Sequence, residues 1–135
     1  MVNSEMTNYN LQGLYAITDP QLLPGDKLIS AVEQALLGGA SIIQYRDKTA
    51  TEVELVRRAQ SLASCCNAHH RPLIINDRVD ICKRVKAAGV HLGQDDNAVK
   101  EARQSLGETA IIGATCHNSV VLAEKAALDG ATYIA

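Results

Sequence analysis

Ser41-Ile42-Ile43-Gln44-Tyr45-Arg46-Asp47-Lys48 starts as a buried strand and ends in polar and charged groups. Ser41 to Ile43 has the β-branched, apolar character of a strand covered on both faces, as in parallel sheets. Gln44, Arg46 and Lys48 recur at every second residue, so for as long as the strand continues they point to one side. Two cations and an amide then converge at the carboxyl end of a strand. That chemistry suits an anion, most directly a phosphate or diphosphate. The same residues also read as solvated charges at an ordinary strand end, and the flanking sequence has to separate the two.

Upstream, Leu14-Tyr15-Ala16-Ile17-Thr18-Asp19 reads as a first strand, and Pro20 with Pro24-Gly25 marks a loop. Asp26 is placed to cap a first helix, whose face is Leu28, Ile29, Val32, Ala35 and Leu36. Gly38-Gly39 ends it just before the opening stretch. Downstream, Thr49 and Glu52 have the spacing of a capping box, followed by a stripe of Val53, Val56, Ala59, Leu62 and Ala63. Leu73-Ile74-Ile75 is a third strand ending in Asn76-Asp77-Arg78. Ile81, Cys82, Val85 and Ala88 mark a third helix, with Gly89 as its expected stop. Val90-His91-Leu92 is a fourth strand running into Gly93-Gln94-Asp95-Asp96. A helix over Ala98 to Leu106 stops at Gly107. A strand over Ala110 to Ala114 ends in Thr115-Cys116-His117. A fifth helix from Ser119 reaches Asp129-Gly130, and a sixth strand begins at Ala131-Thr132-Tyr133-Ile134.

Strict alternation of strands and helices implies parallel strands joined by right-handed crossovers. An open doubly wound sheet and a β/α barrel both fit, because strand order is not written in one sequence. No Gly-x-Gly-x-x-Gly fingerprint follows the first strand, which weakens dinucleotide binding.

Composition narrows the class. The 135 residues fit one domain, assigned to residues 11–135, behind a polar lead over residues 1–10 that is expected to be flexible. Hydrophobic residues make up 47%, with neither Trp nor Phe, so the core has to be aliphatic. A net charge of −2 with interspersed signs excludes the basic stripe of a nucleic-acid binder. No apolar run approaches the roughly 20 residues of a membrane span. Cys65, Cys66, Cys82 and Cys116 are too sparse for a disulfide scaffold and fit free thiols in a reducing cytoplasm. The run Cys65-Cys66-Asn67-Ala68-His69-His70 matches no common zinc spacing.

In both candidate folds ligands bind at the carboxyl ends of the strands, where the notable polar groups fall. These are Gln44, Arg46 and Lys48, then Asn76 and Asp77, then Gln94, Asp95 and Asp96, then Thr115 and His117. Asp77 and Asp96 are hard oxygen donors suited to Mg²⁺, which takes one or two carboxylates and completes its shell with water and phosphate oxygens. Each also has a local role to weigh: Asp77 in an Asx-turn or helix cap, Asp96 as a helix cap. His91, in mid-strand, reads as a packed, hydrogen-bonded histidine. His117 is better placed at a strand end.

Taken together, Leu14 to Asp19, Gln44-Tyr45-Arg46-Asp47-Lys48, Ile75-Asn76-Asp77-Arg78 and Gly89 to Asp96 resemble the thiamine phosphate synthase family, in its order and approximate spacing, from about residue 11 onward. The resemblance implies an α/β fold of the (β/α)₈ TIM-barrel type, cut off here after about six strands and five helices. It implies a transferase of thiamine biosynthesis that joins hydroxymethylpyrimidine diphosphate to thiazole phosphate and releases pyrophosphate. Gln44, Tyr45, Arg46, Asp47, Lys48, Asn76 and Thr115 would bind substrate. Asp77 and Asp96 would hold Mg²⁺ on the diphosphate. No protein nucleophile is needed, since the family reaction is dissociative. The loop after the sixth strand and the last two strands of the family barrel lie outside the resemblance, so the 135-residue chain is expected to be inactive and to self-associate through the open side. Two other readings of the same residues are a thiazole tautomerase-like relative and a phosphate-ligand binding module without turnover.

Overall fold

The computed structural model describes residues 8–93 and 95–135. Strands β1 (Tyr15–Ile17), β2 (Ile42–Tyr45), β3 (Leu73–Asn76), β4 (Gly89–Leu92), β5 (Ile111–Ala114) and β6 (Tyr133–Ile134) alternate with helices α1 (Lys27–Leu37), α2 (Glu52–Ala68), α3 (Val79–Val85), α4 (Ala98–Leu106) and α5 (Val120–Leu128). All five strand pairings are parallel, and the sheet order is β1-β2-β3-β4-β5-β6. A doubly wound sheet reverses its strand order at a switch point, and this one never does. Sequential addition in one direction is the winding of a β/α barrel.

Alternation along the strands separates two cores. On the helix-facing side, Ile43, Tyr45, Leu73, Ile75, Val90, Leu92, Ile112 and Ala114 pack with Leu28, Val32 and Leu36 of α1, Leu55, Ala59 and Leu62 of α2, and Ile81 and Val85 of α3. On the inner side, Ile42, Ile74 and Ile111 form a smaller cluster with Tyr9, Leu11, Tyr15 and Tyr133 packed against it. The sheet curls far enough for inner side chains of its first and last strands to meet. The Tyr15 and Tyr133 hydroxyls are 2.6 Å apart, with their rings edge-on at 5.7 Å. Of the expected lead over 1–10, residues 1–7 lie outside the described residues, while Tyr9 packs under the inner cluster.

Two glycines make this curvature sterically feasible. A Cβ on Gly89 would sit 1.7 Å from the Ile111 carbonyl oxygen, and one on Gly113 would sit 2.1 Å from the Tyr133 ring and 2.6 Å from His91. Gly89 therefore opens β4 rather than stopping α3. That helix ends at Lys86, which takes up the left-handed conformation itself at φ 54°. The α2 capping box also differs from the expected Thr49–Glu52. It is Thr51 with Glu54, each side chain bonded to the other residue's backbone N–H. Thr49 is engaged elsewhere, because both its N–H and its hydroxyl donate to Asp47 Oδ1. That turn delays the helix. Its buried stripe is then Leu55, Ala59, Leu62, Ala63 and Cys66, while Val53, on the opposite face, is exposed.

Among the described residues β1 and β6 each pair on one side only. Leu14, Ile17 and Ile134 at these edges are exposed, as are Val120, Val121 and Leu128 of α5. Arg103 of α4 ties the β6 side down by donating to the carbonyls of Gly107, Ala110 and Gly130.

Candidate active site

β2 ends at Tyr45, so only part of the opening stretch obeys strand alternation. Gln44 is buried on the inner face, and Arg46, one residue past the strand, lines the same inner cavity. The Arg46 backbone is fixed by Thr18, whose hydroxyl accepts from the Arg46 N–H at 3.0 Å. Its guanidinium has no hydrogen-bond or ion-pair partner among the described residues. Tyr45 points the other way, into the helix-facing core, where its hydroxyl has no hydrogen-bond partner among the described residues. Burial, then the charge of Asp47, pushes its pKa above the ordinary value, so it stays neutral.

Asp47 is committed to the fold. Oδ1 accepts from Thr49 N, Thr49 Oγ1 and Ala50 N at 2.8–3.0 Å, and Oδ2 pairs with Arg58 of α2 at 3.1 Å. Burial would raise its pKa, but these hydrogen bonds and the Arg58 charge outweigh it and hold the carboxyl below its usual range. A group depressed in this way contributes stability that is complete above the unfolded value and lost as pH falls through the folded one. Asp47→Ala is therefore expected to cost about 1–3 kcal/mol at neutral pH, the usual net worth of hydrogen bonds to a charged group, here the three turn bonds and the Arg58 pair. Urea unfolding measures this, and the gap to wild type should close in acid. An unchanged midpoint at pH 7 would remove Asp47 from the turn's support.

The cavity bounded by the inner sheet face has a volume of about 440 Å³, within the range of small-molecule sites. Tyr15, Gln44, Arg46, Asn76, His91, Thr115 and Tyr133 line it. A continuous chain of hydrogen bonds runs along its floor. Gln44 Nε2 donates to Tyr15 Oη at 2.8 Å, and Tyr15 Oη meets Tyr133 Oη. Tyr133 Oη meets His91 Nδ1 at 2.9 Å, and His91 Nε2 meets Thr115 Oγ1 at 2.9 Å. Burial holds His91 below its ordinary value, with the Asp77 charge only partly opposing it. Burial likewise pushes both tyrosines up. The floor is thus neutral at physiological pH, a set of dipoles rather than charges.

Charge gathers at the rim. Lys48 Nζ lies 3.7 Å from Asp77 Oδ2, and Asn76 Nδ2 donates to the same oxygen at 3.1 Å. Asp77 is held at φ 61°, and the Arg78 N–H closes a three-residue γ-turn onto the Asn76 carbonyl at 2.8 Å. A non-glycine residue in such a turn carries strain of roughly 1–3 kcal/mol. Asp96 is exposed and lines a separate, smaller cavity between α4 and α5, where the Lys125 ammonium donates to its backbone carbonyl. Among the described residues no hydrogen bond or ion pair joins Asp96 to Asp77, and no three His, Cys, Asp or Glu side chains gather as a metal cage. Gln94 lies outside the described residues. His117 is exposed in a left-handed turn after β5. The structure therefore brings Gln44, Arg46, Asn76 and Thr115 onto one cavity, with Asp77 and Lys48 next to it through the Asn76–Asp77 hydrogen bond and the Lys48–Asp77 pair, while Tyr45 and Asp47 serve the surrounding fold.

Sequence reasoning missed Tyr15 and Tyr133 and gave His91 only a packing role. Their one signal was parity: Tyr15, Gln44, His91 and Tyr133 occupy inward positions of four different strands.

The family model described as thiamine monophosphate synthase matches residues 14–135. The thiamine-phosphate synthase of Marinobacter nauticus is 54% identical over 123 residues, covering 91% of this chain and 55% of that protein. That of Alcanivorax borkumensis is 48% identical over 130 residues, covering 96% of this chain and 60% of that one. Among solved structures, thiamine phosphate pyrophosphorylase from Pyrococcus furiosus is 34% identical with a TM-score of 0.78, covering 90% of this chain and 57% of that one. The chain thus spans somewhat over half the length of these relatives. A winding order without reversal, a strand-end cavity and a match over almost the whole sequence agree, and the chain belongs to the thiamine monophosphate synthase family.

Proposed function

We propose that this chain carries the pyrimidine-diphosphate side of a thiamine phosphate synthase site, in a transferase that joins hydroxymethylpyrimidine diphosphate to thiazole phosphate. The observation that supports this best is a cavity with a neutral polar floor and the unpaired Arg46 on its lining, beside the Asn76–Asp77–Lys48 cluster. A flat heteroaromatic ring suits the floor, where Gln44 and Thr115 keep hydrogen-bonding capacity without charge and His91 holds Thr115 in place. The diphosphate suits the rim, where Arg46 and Lys48 supply two cations and Asn76 an amide.

In the reaction so assigned, the carbon–oxygen bond to the diphosphate breaks and pyrophosphate takes the electron pair. The thiazole nitrogen lone pair then forms the new carbon–nitrogen bond. No side chain of the floor is charged or activated as a nucleophile, in keeping with a substrate that ionises before it is captured. Asp77 fits Mg²⁺, since it is a half-exposed carboxylate at the cationic rim, and Asp96 would be its second carboxylate, from the β4–α4 loop. Held there with the diphosphate, Mg²⁺ would supply neutralisation of the charge that grows as pyrophosphate departs. Among the described residues no helix is long and apolar enough to cross a membrane. With four unpaired thiols, this supports a place in the reducing cytoplasm.

The 135-residue chain by itself is proposed to have no turnover and to self-associate. Among the described residues the six strands leave β1 and β6 with one open edge each, and Leu14, Ile17 and Ile134 beside them are apolar and exposed. Such edges recruit other chains. Light scattering should report a mass above that of a monomer, and a pyrophosphate-release assay should read background. A chimera joining residues 14–135 to the C-terminal remainder of the Marinobacter nauticus synthase should release pyrophosphate only when both substrates are present. Turnover of the thiazole phosphate by the chimera without the pyrimidine diphosphate would instead point to a tautomerase. An active monomer of 135 residues would refute the claim about the open edges.

A further inference from the structure

The β3–α3 turn holds Asp77 in a backbone conformation that an aspartate does not favour by itself, and the next residue is unusually constrained. Arg78 Nη1 and Nη2 donate to the two carboxylate oxygens of Glu52 at 3.0 and 2.6 Å. Its Nε and Nη2 donate to the two oxygens of Asp80 at 2.8 and 2.6 Å. Glu52 is the first residue of α2, and Asp80 is the second of α3. One guanidinium therefore locks the first turns of two neighbouring helices together, forked onto both carboxylates. The two amides of the turn are also engaged, Asp77 N with the His91 carbonyl at 2.9 Å and Arg78 N with the Asn76 carbonyl.

We propose that Arg78 is a positioning residue whose clamp on Glu52 and Asp80 keeps Asp77 in its left-handed turn, with its carboxylate at the cavity rim beside Lys48 and Asn76. This rests on the reading of Asp77 as the carboxylate that meets the diphosphate side of the site. Rotation of Asp77 into the right-handed region would swing the following residue and pull the guanidinium out of its fork. A lysine cannot substitute, because one ammonium does not match two carboxylates bidentately. All three side chains of the clamp are more than a third exposed, so the network adds little to global stability. Its effect is local geometry, and that separates positioning from mere support.

The test uses the 135-residue protein as wild type, Arg78→Lys, Arg78→Ala, the double variant Glu52→Gln with Asp80→Asn, and Asp77→Asn. Amide hydrogen exchange is read by NMR at Asp77 and Arg78, with Ile75 and Val90 as core controls. Water-proton relaxation follows uptake of Mn²⁺ together with inorganic pyrophosphate. Expected in Arg78→Ala and in the double variant is at least tenfold faster exchange at the two turn amides, with core amides and urea midpoint unchanged. Binding of Mn²⁺ with pyrophosphate should weaken at least tenfold, and Arg78→Lys should fall between. Wild-type exchange at Asp77 and Arg78 in Arg78→Ala, or acceleration spread evenly over the core, would overturn the clamp. So would wild-type binding by Arg78→Ala where Asp77→Asn has lost it. If wild type and Asp77→Asn bind alike, the reading of Asp77 fails and the proposed purpose of the clamp with it, while the exchange data still report whether Arg78 holds the turn.

Discussion

Asp77→Asn, introduced into the chimera of full family length, is expected to reduce magnesium-dependent pyrophosphate release by about 10²-fold or more, the usual penalty for removing one group aimed at developing charge. The substitution keeps the shape of the side chain and its hydrogen bond with Asn76, but removes the charge that faces Lys48 at 3.7 Å. Both groups are about half exposed, so their ion pair contributes little to stability and the fold should survive. The loss should therefore appear in turnover with the unfolding midpoint almost unchanged. Asp96→Asn tests whether the second carboxylate acts at the same place. The structure places Asp96 on a neighbouring cavity, so the two variants need not agree in size. Wild-type saturation by Mg²⁺ in Asp77→Asn would eliminate it as a ligand.

Arg46→Ala is expected to weaken binding of the pyrimidine diphosphate by about 10–150-fold, taking roughly 1.5–3 kcal/mol for a hydrogen bond to a charged group. Arg46 is the rim cation least committed to the fold. Its backbone is fastened by Thr18, its side chain faces the cavity, and no carboxylate among the described residues pairs with it. Nothing internal competes for the guanidinium, so truncation should leave stability near wild type. Arg46→Lys should recover only part of the affinity, since a point charge lacks the planar fork. Calorimetric titration of the chimera measures both. Equal affinity in wild type and Arg46→Ala would remove Arg46 from the site.

Asp77 and Arg46 were legible because strand ends are local events. A short β-branched run followed by polar residues marks the carboxyl end of a parallel strand, and in an alternating β/α chain those ends gather on one rim. The same locality made Gln44, Asn76 and Thr115 readable, and all three line the cavity. Tyr45 and Asp47 show its limit. They sit within the same motif, yet Tyr45 falls on the opposite face of β2, and Asp47 is spent on the turn into α2. Motif membership does not specify which way a side chain points. The capping box was misplaced for the same kind of reason, because the Asp47 turn consumed Thr49 before the helix began.

By itself the sequence determined the alternation of six strands with five helices, the aliphatic core and the polar residues waiting at the strand ends. Each of these depends on patterns within about ten neighbouring residues. Only the tertiary structure decided between a wound-back sheet and a curled one, since strand order follows from how helices pack over the sheet. Only the curl could bring Tyr15 to Tyr133, 118 residues away, and join Gln44, His91 and Thr115 into one hydrogen-bonded floor. Such contacts depend on the curvature of the whole sheet and on the absence of a side chain at Gly113, so no local window of sequence contains them.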